Sequence, residues 1–391
     1  MFHLSSSLLA LVSLLSLRPT GVNAVSLEDV FRNRTSSSTF RWLIRTHPEV
    51  FHNISSDRAN GVTILAPNNQ AFDRAGTAWS GLGEARVRPT LQYHILKRAI
   101  HTDSIIRGQH LATRTRLDLN VTGGQPVFLT KGPSGDVVFT SGFATRATVL
   151  QENIPFDDGY VHIIDSVLRM PESFEATTKH AYTEMSAFLG ALHATGLINE
   201  INAAKDITIF APHNDAFHQL YPVFENMTRR ELKRVMRYHI VPGTVLHSWE
   251  FTNGTSLTTS DKNTIAITRH DHSIYANSAH FLQTDILISN GVVQMIDNCL
   301  SPNASKARPD LSLPKQRPVL SLDAYSPPGS PPPPSFPCAG GDCSDTEDEA
   351  APTETPSIHT EAEKDAAVPS YGGISNVGLG LGLMIGAIIA L

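Results

Sequence analysis

Two short apolar segments, one in each half of the chain, predict a buried strand at the start of a repeated unit. Residues 62–66 read Val-Thr-Ile-Leu-Ala and residues 207–211 read Ile-Thr-Ile-Phe-Ala, so both are rich in β-branched side chains. A proline follows each segment, at Pro67 and Pro212, and asparagine lies shortly after it. Apolar runs of this kind that end at turn-forming residues are typical of short strands.

Apolar residues at helical spacing predict an amphipathic helix further along each half. Thr228 and Glu231 have the Thr-x-x-Glu spacing of a capping box, which marks a helix start. In the first half, Pro89 lies near the expected helix start, where a missing backbone N–H is tolerated. The two apolar faces consist of Leu91, His94 and Ile95, and of Leu232, Val235, Met236, His239 and Ile240.

Alternating apolar and polar residues predict strands later in each half. Residues 136–140 and 264–268 alternate in this way. Each half then closes on a glycine-led apolar segment that ends in Ile-Asp, at 159–165 and 291–297. Helices therefore cluster early and strands cluster late, an order that favours an α+β domain.

These landmarks show a tandem duplication of one domain. Residues 63–72 recur at 208–217, and the Tyr-His pair at 93–94 recurs at 238–239, with the same offset of 145 residues. The closing segments are offset by 132 residues, so the first copy is 13 residues longer in between. Copies of about 140 residues are single domains rather than short solenoid repeats.

Composition and charge support two folded domains followed by a different kind of segment. The 391 residues are 41% hydrophobic and 17% charged, which is enough to bury real cores. Nine acidic residues and one lysine lie between 342 and 365, a net of −8, whereas the whole chain is −6. The folded part is therefore close to neutral, and a near-neutral pair of domains offers no basic stripe to nucleic acid.

The two ends of the chain predict export and a lipid anchor. Residues 1–24 combine an apolar run at 8–17 with small residues at 22–24, the pattern of a secretory signal peptide. Residues 377–391 are uninterrupted and apolar, but 15 residues are short for a membrane-spanning helix, which needs roughly 20. Small residues precede this tail, as in a glycosylphosphatidylinositol (GPI) attachment signal, with Gly372, Gly373 and Asn376 as candidate attachment sites. A tail-anchored or plain membrane helix is the alternative.

A proline-, serine- and threonine-rich acidic segment at 301–376 separates the second domain from the tail. Its composition cannot bury a core and predicts a disordered, extended stalk. Of the three cysteines, Cys338 and Cys343 could close a small loop in this stalk, and pairing of Cys299 with Cys338 is equally allowed. Six N-glycosylation sequons fit an exported protein, at Asn33, Asn53, Asn120, Asn226, Asn253 and Asn303.

The doubled landmarks resemble the fasciclin domain, a secreted adhesion module. Both copies match its first segment, Thr-x-x-Ala-Pro-x-Asn-x-Ala-Phe, its Tyr-His pair and its closing strand. The resemblance covers residues 25–170 and 177–300, and it implies two wedge-shaped β-sandwiches with packed helices. One departure is Gln294, which stands where the first copy keeps His162.

The resemblance also implies candidate residues for partner binding. In some fasciclin proteins the Tyr-His region and an Asp-Ile dipeptide before the last strand are implicated in receptor binding. The corresponding residues here are Tyr93, His94, Tyr238, His239, Asp285 and Ile286. The first copy has Asn153-Ile154 in place of Asp-Ile, so the second copy is the better candidate. A packed, hydrogen-bonded core histidine is the alternative for both His94 and His239.

The sequence offers little support for an enzyme. It contains neither Gly-x-Ser-x-Gly nor His-Glu-x-x-His, and its cysteines lie in or next to the stalk. His270, Asp271 and His272 could attract a metal, but neighbours on a strand point to opposite faces, which favours a solvated turn. We therefore expect no catalysis, metal or cofactor.

The expected function is adhesion or matrix interaction at the cell surface. The expected partner is a protein or glycan of the cell surface or matrix, with the membrane engaged through the anchor and no nucleic acid. A structural wall component without a specific receptor is the alternative, and a secreted hydrolase is less favoured. The plasma membrane is the expected location, with a vacuolar membrane as the other destination.

Overall fold

The computed structural model describes residues 25–51, 54, 60–313 and 315–320. All of these residues lie in one compact unit. The predicted signal peptide, Asn53, Cys338, Cys343, most of the stalk, the apolar tail and the three candidate anchor sites lie outside the described residues.

The first domain begins with helices and ends with strands, apart from one early strand. Its helices are α1 (Leu27–Phe31), α2 (Ser38–Thr46), α3 (Pro48–Phe51), α4 (Asn69–Ser80) and α5 (Glu84–Tyr93). Its strands are β1 (Val62–Pro67), β2 (Ile95–Leu96), β3 (His110–Arg114), β4 (Pro126–Lys131), β5 (Val137–Thr140), β6 (Arg146–Phe156) and β7 (Gly159–Ile164).

These strands form one seven-stranded sheet in the order β2-β1-β7-β6-β5-β4-β3. The closing strand β7 pairs in parallel with the early strand β1, and the other pairs are antiparallel. The two edges of the sheet also meet, because Lys97 N–H donates to the Arg114 carbonyl at 2.9 Å and Arg116 N–H to the Ile95 carbonyl at 2.8 Å. The sheet is therefore barrel-like, which leaves few edge groups unpaired.

The second domain repeats this plan. Its helices are α6 (Phe174–Ala181), α7 (Ser186–Ala194), α8 (Ile198–Ala203), α9 (Asn214–Glu225) and α10 (Arg229–Tyr238). Its strands are β8 (Ile207–Pro212), β9 (Ile240–Val241), β10 (Ser256–Thr258), β11 (Thr264–His270), β12 (Ser273–Ala276), β13 (Ala279–Ile288) and β14 (Gly291–Ile296). They form a second seven-stranded sheet in the order β10-β11-β12-β13-β14-β8-β9. Ser260 N–H donates to the Ile240 carbonyl at 2.8 Å and joins the edges, as in the first sheet.

The α+β prediction for two tandem domains is confirmed, with corrections at α5 and α10, the helices that end at each Tyr-His pair. The predicted capping box of α10 is present, since Thr228 and Glu231 bond each other's backbone N–H. However, α10 ends at Tyr238, so His239 caps it and Ile240 already belongs to β9. In the first domain Pro89 lies inside α5, which starts five residues earlier at Glu84 with Gly83 as its cap.

The extra length of the first domain is not a single insertion. The Tyr93 hydroxyl reaches the Pro126 carbonyl 33 residues along the chain, and the equivalent Tyr238 hydroxyl reaches the Thr264 carbonyl 26 residues along. Seven of the 13 extra residues therefore lie before β4, and the rest lie among the later strands.

Each domain holds two clusters of buried apolar side chains. In the first domain one cluster lies between the helices and β1 and β7, and the other lies inside the sheet. The cluster inside the sheet joins Leu65 of β1 to Leu129 of β4 and Phe139 of β5, so both halves of the sheet enclose it. The second domain has the same pair of clusters. Burial on this scale is the main source of stability for such domains.

Candidate functional site

The two tyrosines of the Tyr-His pairs fasten the end of a helix to the sheet. Both side chains are fully buried. The Tyr93 hydroxyl donates to the Pro126 carbonyl at 2.9 Å, and the Tyr238 hydroxyl donates to the Thr264 carbonyl at 2.7 Å. Tyr238 also accepts from Asn277 Nδ2 at 2.9 Å. Burial raises the pKa of both phenols, so they stay neutral donors.

The two histidines fasten the same helix to the segment that follows the closing strand. His94 Nδ1 lies 2.7 Å from the Thr90 carbonyl, and its Nε2 accepts from Leu168 N–H at 3.0 Å. His239 makes the same pair of contacts, at 2.8 Å to the Val235 carbonyl and 2.9 Å from Leu300 N–H. Each ring therefore carries its proton on Nδ1.

Burial lowers the pKa of both histidines to about 4. The hydrogen bond to the helix carbonyl raises the pKa and offsets only part of this effect. The charged ring would have to leave water, and its Nε2–H would face a backbone N–H. Both rings are therefore neutral at physiological pH and serve as two-ended structural links.

The Asp-Ile element occupies a bulge in the long strand β13. Asp285 has a left-handed backbone, with φ at +64°, and lies in the second register shift of the β13–β14 pair, between Gln283 and Ile286. Its equivalent Asn153 has φ at +57° and lies at the same place in β6. Aspartate and asparagine tolerate this conformation better than most residues, which explains why these two types occur here.

Asp285 uses its carboxylate to hold a turn of its own domain. One oxygen accepts from Ser248 N–H at 2.8 Å and from Gln294 Nε2 at 3.1 Å, and the other accepts from the Ser248 hydroxyl. Burial by itself raises the pKa of Asp285, but the nearby His247 ring and the hydrogen bonds from Ser248 and Gln294 outweigh it and hold that pKa below its ordinary value. Asn153 holds Thr102 in the same manner, at 2.9 Å from Thr102 N–H.

None of the six predicted binding residues presents its side chain as open surface. Asp285 is 13% exposed, and the other five side chains are buried. The structure shows them linking elements of their own domains, which is the structural alternative stated for the histidines. Direct contact between these side chains and a partner stays a prediction, and it would require the surrounding segments to open.

Two further pairs of motif residues have roles that the sequence did not reveal. The hydroxyl of Thr63 donates to the Arg98 carbonyl at 2.8 Å, and that of Thr208 to the Thr244 carbonyl at 2.8 Å, which fixes the loop after β2 or β9. Asn69 and Asn214 start the next helix and bind the backbone of a preceding one, through Thr39 N–H and Ala187 N–H. Their recurrence in both repeats was the available signal.

Comparison with known proteins also finds a repeated domain. A family model described as the fasciclin domain matches residues 35–171 and 183–302 of this chain. The chain belongs to the fasciclin domain family. The two matched ranges overlap the domains expected at 25–170 and 177–300.

Two fungal relatives and one solved structure illustrate the similarity. A fasciclin-like arabinogalactan protein of Arthroderma benhamiae is 32% identical over 266 residues, which cover 65% of this chain and 61% of that protein. Another, from Cercospora beticola, is 29% identical over 294 residues, covering 71% and 77%. A solved FAS1 domain pair from the insect cell adhesion molecule fasciclin I is 20% identical with a TM-score of 0.35, covering 70% of this chain and 99% of that one. This chain thus spans less than two thirds of the first relative.

The two fasciclin domains meet at a joint with polar and aromatic contacts. The carboxylate of Asp206, just before β8, accepts from Thr122 N–H at 2.6 Å and from the Thr122 hydroxyl. The Asp206 N–H donates to the Asn120 carbonyl at 3.1 Å. Gln125 adds a bond from its side-chain amide to the Ser289 carbonyl. These contacts fix the position of one domain against the other.

An aromatic cluster lies beside these polar contacts. His247 stacks on Trp249 with ring centroids 4.6 Å apart and an angle of 12°. Phe128 of the first fasciclin domain meets both rings edge-on, at 5.6 Å from His247 and 5.8 Å from Trp249. Edge-to-face aromatic pairs of this kind contribute about 0.5–1.5 kcal/mol each beyond the area they bury. We call Phe128, His247 and Trp249 the aromatic joint.

Surface features of the fasciclin domains lie away from the motif residues. The five described sequon asparagines are all exposed, at Asn33, Asn120, Asn226, Asn253 and Asn303. Two clefts in the first domain, of about 380 and 490 Å³, are lined by none of the six predicted binding residues. Arg88, Gln92 and Lys97 line the smaller cleft.

The residues considered for metal and thiol chemistry have other surroundings. His270 and Asp271 lie in an exposed hairpin turn, and the part of the chain that the structure describes holds no cluster of three metal-ligating side chains. Cys299 is a free thiol within the apolar core of the second domain, and burial raises its pKa well above the ordinary value. Across the described ranges, no helix combines the length and the apolar character needed to cross a bilayer.

Proposed function

We propose that this protein is an exported, lipid-anchored glycoprotein of the cell surface or wall that acts by binding through its two fasciclin domains. Membership of the family supports this proposal, as does the similarity to fungal proteins named fasciclin-like arabinogalactan proteins. The signal peptide, stalk and apolar tail read from the sequence agree with an anchor on the outer side of the plasma membrane.

The joint between the domains is the observation that carries the proposal. Thr122, Gln125 and Phe128 of the first domain engage Asp206, Ser289, His247 and Trp249 of the second. A specific joint holds two binding surfaces at a fixed distance and angle. Two weak contacts made together by such a pair raise avidity when the partner is also multivalent.

The internal roles of the motif residues define how they serve binding in this proposal. Tyr93, His94, Tyr238 and His239 hold the helix, the sheet and the closing segment together, and Asp285 holds a turn at the joint. They act on recognition by fixing the shape of the domain. The partner, a surface protein or a glycan, then contacts residues that are exposed.

Release and competition experiments test the proposal together. Phosphatidylinositol-specific phospholipase should release the protein from intact cells, and the released protein, coated on a surface, should support cell attachment. Free released protein should compete with that attachment. A purely structural wall component predicts release without competition, which would overturn the binding function and leave the anchor intact.

An enzyme makes a different prediction. A hydrolase would turn over a substrate in a panel of extracellular esters, peptides and glycosides, and one substitution would abolish that turnover. We expect no turnover, because binding requires no covalent step.

A further inference from the structure

Asp285 and Asn153 hold equivalent turns, but the two turns face different surroundings. Asn153 holds Thr102, and the neighbouring ring of His101 packs against Tyr160 of the same domain at 5.2 Å. Asp285 holds Ser248, which lies in sequence between His247 and Trp249, whose rings stack in the aromatic joint. The turn held by Asn153 therefore packs within its own domain, whereas the turn held by Asp285 lies at the contact between the two domains.

The turn at Ser248 has several anchors, and Asp285 supplies the central one. Leu246 N–H donates to the Thr208 hydroxyl at 2.9 Å, and His247 N–H donates to Glu250 at 2.8 Å. These bonds fix the two residues before Ser248. Among the described residues, only the carboxylate of Asp285 accepts from both the N–H and the hydroxyl of Ser248. It therefore holds the residue that joins His247 to Trp249 in the chain.

The His247 ring depends on this placement because it makes no hydrogen bond of its own within the described chain. Its side chain is 3% exposed, and both ring nitrogens are buried without a hydrogen-bond partner. Its Nδ1 lies 3.6 Å from a carboxylate oxygen of Asp285. Ring stacking and the nearby carboxylate therefore hold the imidazole, since a buried polar group without such support is costly.

We propose that Asp285 is a positioning residue that sets the relative orientation of the two fasciclin domains by holding the Ser248 turn, and with it His247 and Trp249, against Phe128. The role of Asp285 in orientation does not depend on binding. Only the use of that orientation, in bivalent contact with a partner, rests on the proposed function. It gives the Asp-Ile element an effect on recognition without exposing Asp285 to a partner.

The chemistry of the turn predicts which substitution preserves this role. Asparagine at this position keeps one acceptor for Ser248 N–H, and its amide can donate to the Ser248 hydroxyl, as Asn153 Nδ2 donates to the Thr102 hydroxyl at 2.8 Å. Asp285→Asn should therefore preserve the turn. Asp285→Ala removes every acceptor and should release it.

The distance between spin labels on the two domains tests the proposal. Labels are placed on the full chain at Ile106→Cys in the first domain and Arg230→Cys in the second, with Cys338 and Cys343 replaced by serine; both label sites are exposed. Asp285→Ala should broaden the distance distribution at least two-fold, and Asp285→Asn should restore the native width. The matched control Asn153→Ala removes the equivalent clamp outside the joint and should leave the width unchanged.

Each contrary outcome is decisive. A native width in Asp285→Ala, or an equal broadening in Asn153→Ala, would overturn the proposal. If Asp285→Ala does not fold, Trp249→Ala decides, because Trp249 is 42% exposed and its removal disturbs the joint more than the core. A native width in Trp249→Ala would then reject the aromatic joint as the element that sets the orientation.

The distance measurement needs no partner, so its failure is distinct from failure of the binding function. The same variants are compared in the attachment assay with released wild-type protein. Loss of competition by wild type rejects the binding function, whatever the distances show. A changed distance with unchanged competition would show that orientation is set by Asp285 but does not serve binding.

Discussion

His162 and Gln294 occupy the same place in the two closing strands and make the same two hydrogen bonds. His162 Nδ1 accepts from Asn153 N–H at 3.0 Å, and its Nε2 lies 3.0 Å from the Ile100 carbonyl. Gln294 accepts from Asp285 N–H at 2.9 Å and donates to the Leu246 carbonyl at 3.0 Å. Gln294 therefore departs from the family pattern in residue type but keeps both hydrogen bonds.

This equivalence predicts that His162→Gln is tolerated. The glutamine should supply one acceptor and one donor to the same groups, at a cost below about 1 kcal/mol in the free energy of unfolding. His162→Leu leaves a buried N–H and a buried carbonyl without partners and should cost about 2–4 kcal/mol. Urea denaturation of the three proteins measures the difference, and equal losses for both variants would contradict the shared role.

The buried histidines predict that stability falls in mild acid. In the unfolded chain a histidine takes up a proton below its ordinary value of 6.5, whereas His94 and His239 in the folded chain do so only near 4. The unfolded state therefore binds more protons between these values, and each histidine lowers the unfolding free energy by about 1.4 kcal/mol per pH unit as the pH falls. His162, whose pKa burial also lowers, acts in the same direction.

Denaturation series between about pH 7 and about pH 5 check this dependence. The contribution of these groups is complete above the unfolded pKa and is lost as the pH falls toward the folded one. His94→Gln should reduce the slope of the unfolding free energy against pH by the contribution of one histidine. This holds even if the variant is less stable than wild type at neutral pH. A variant with the wild-type slope would show that His94 is not a source of the effect.

The glycines that open the closing strands predict a severe response to alanine. A Cβ at Gly291 would lie 1.9 Å from the Ile207 carbonyl oxygen, and one at Gly159 would lie 1.9 Å from that of Val62. Both clashes fall on the parallel pair that joins the closing strand to the first strand. Gly291→Ala should therefore cost about 3 kcal/mol or more, at the upper end for overpacked sites.

Gly132→Ala is the matched control for this clash. Its Cβ would meet its nearest neighbour at 3.7 Å, an ordinary contact distance. Its thermal midpoint should stay within a few degrees of wild type, as expected for a change of about 0.5 kcal/mol or less. A control as unstable as Gly291→Ala would remove the clash as the explanation.

Cys299 predicts a thiol that reacts only when the second domain unfolds. Burial raises its pKa and keeps the reactive thiolate from forming, and core side chains surround it. Alkylation followed by peptide mapping should show labelling at Cys299 only through the urea transition. Labelling in native buffer at the rate of an exposed thiol would contradict this environment.

Part of the order of elements in each domain could be predicted from local sequence. The strands at 62–66 and 207–211, the closing strands and the capping box of Thr228 are short-range patterns, and the structure shows each of them. The end of α10 could not be predicted, because His239 continues the helical spacing while its ring accepts from Leu300 N–H, 61 residues away. The position of Pro89 was wrong for a similar reason, since the start of α5 depends on packing rather than on a strong cap.

The sequence by itself determined the duplication, the α+β order, the family and the asymmetry between Asn153 and Asp285. These follow from spacing and residue type, which the chain records directly. The tertiary structure decided that the Tyr-His and Asp-Ile side chains face inward and that Phe128 meets His247 and Trp249. Inward and outward placement depends on which surfaces meet after folding, and residues more than 100 positions apart leave no local pattern that announces their contact.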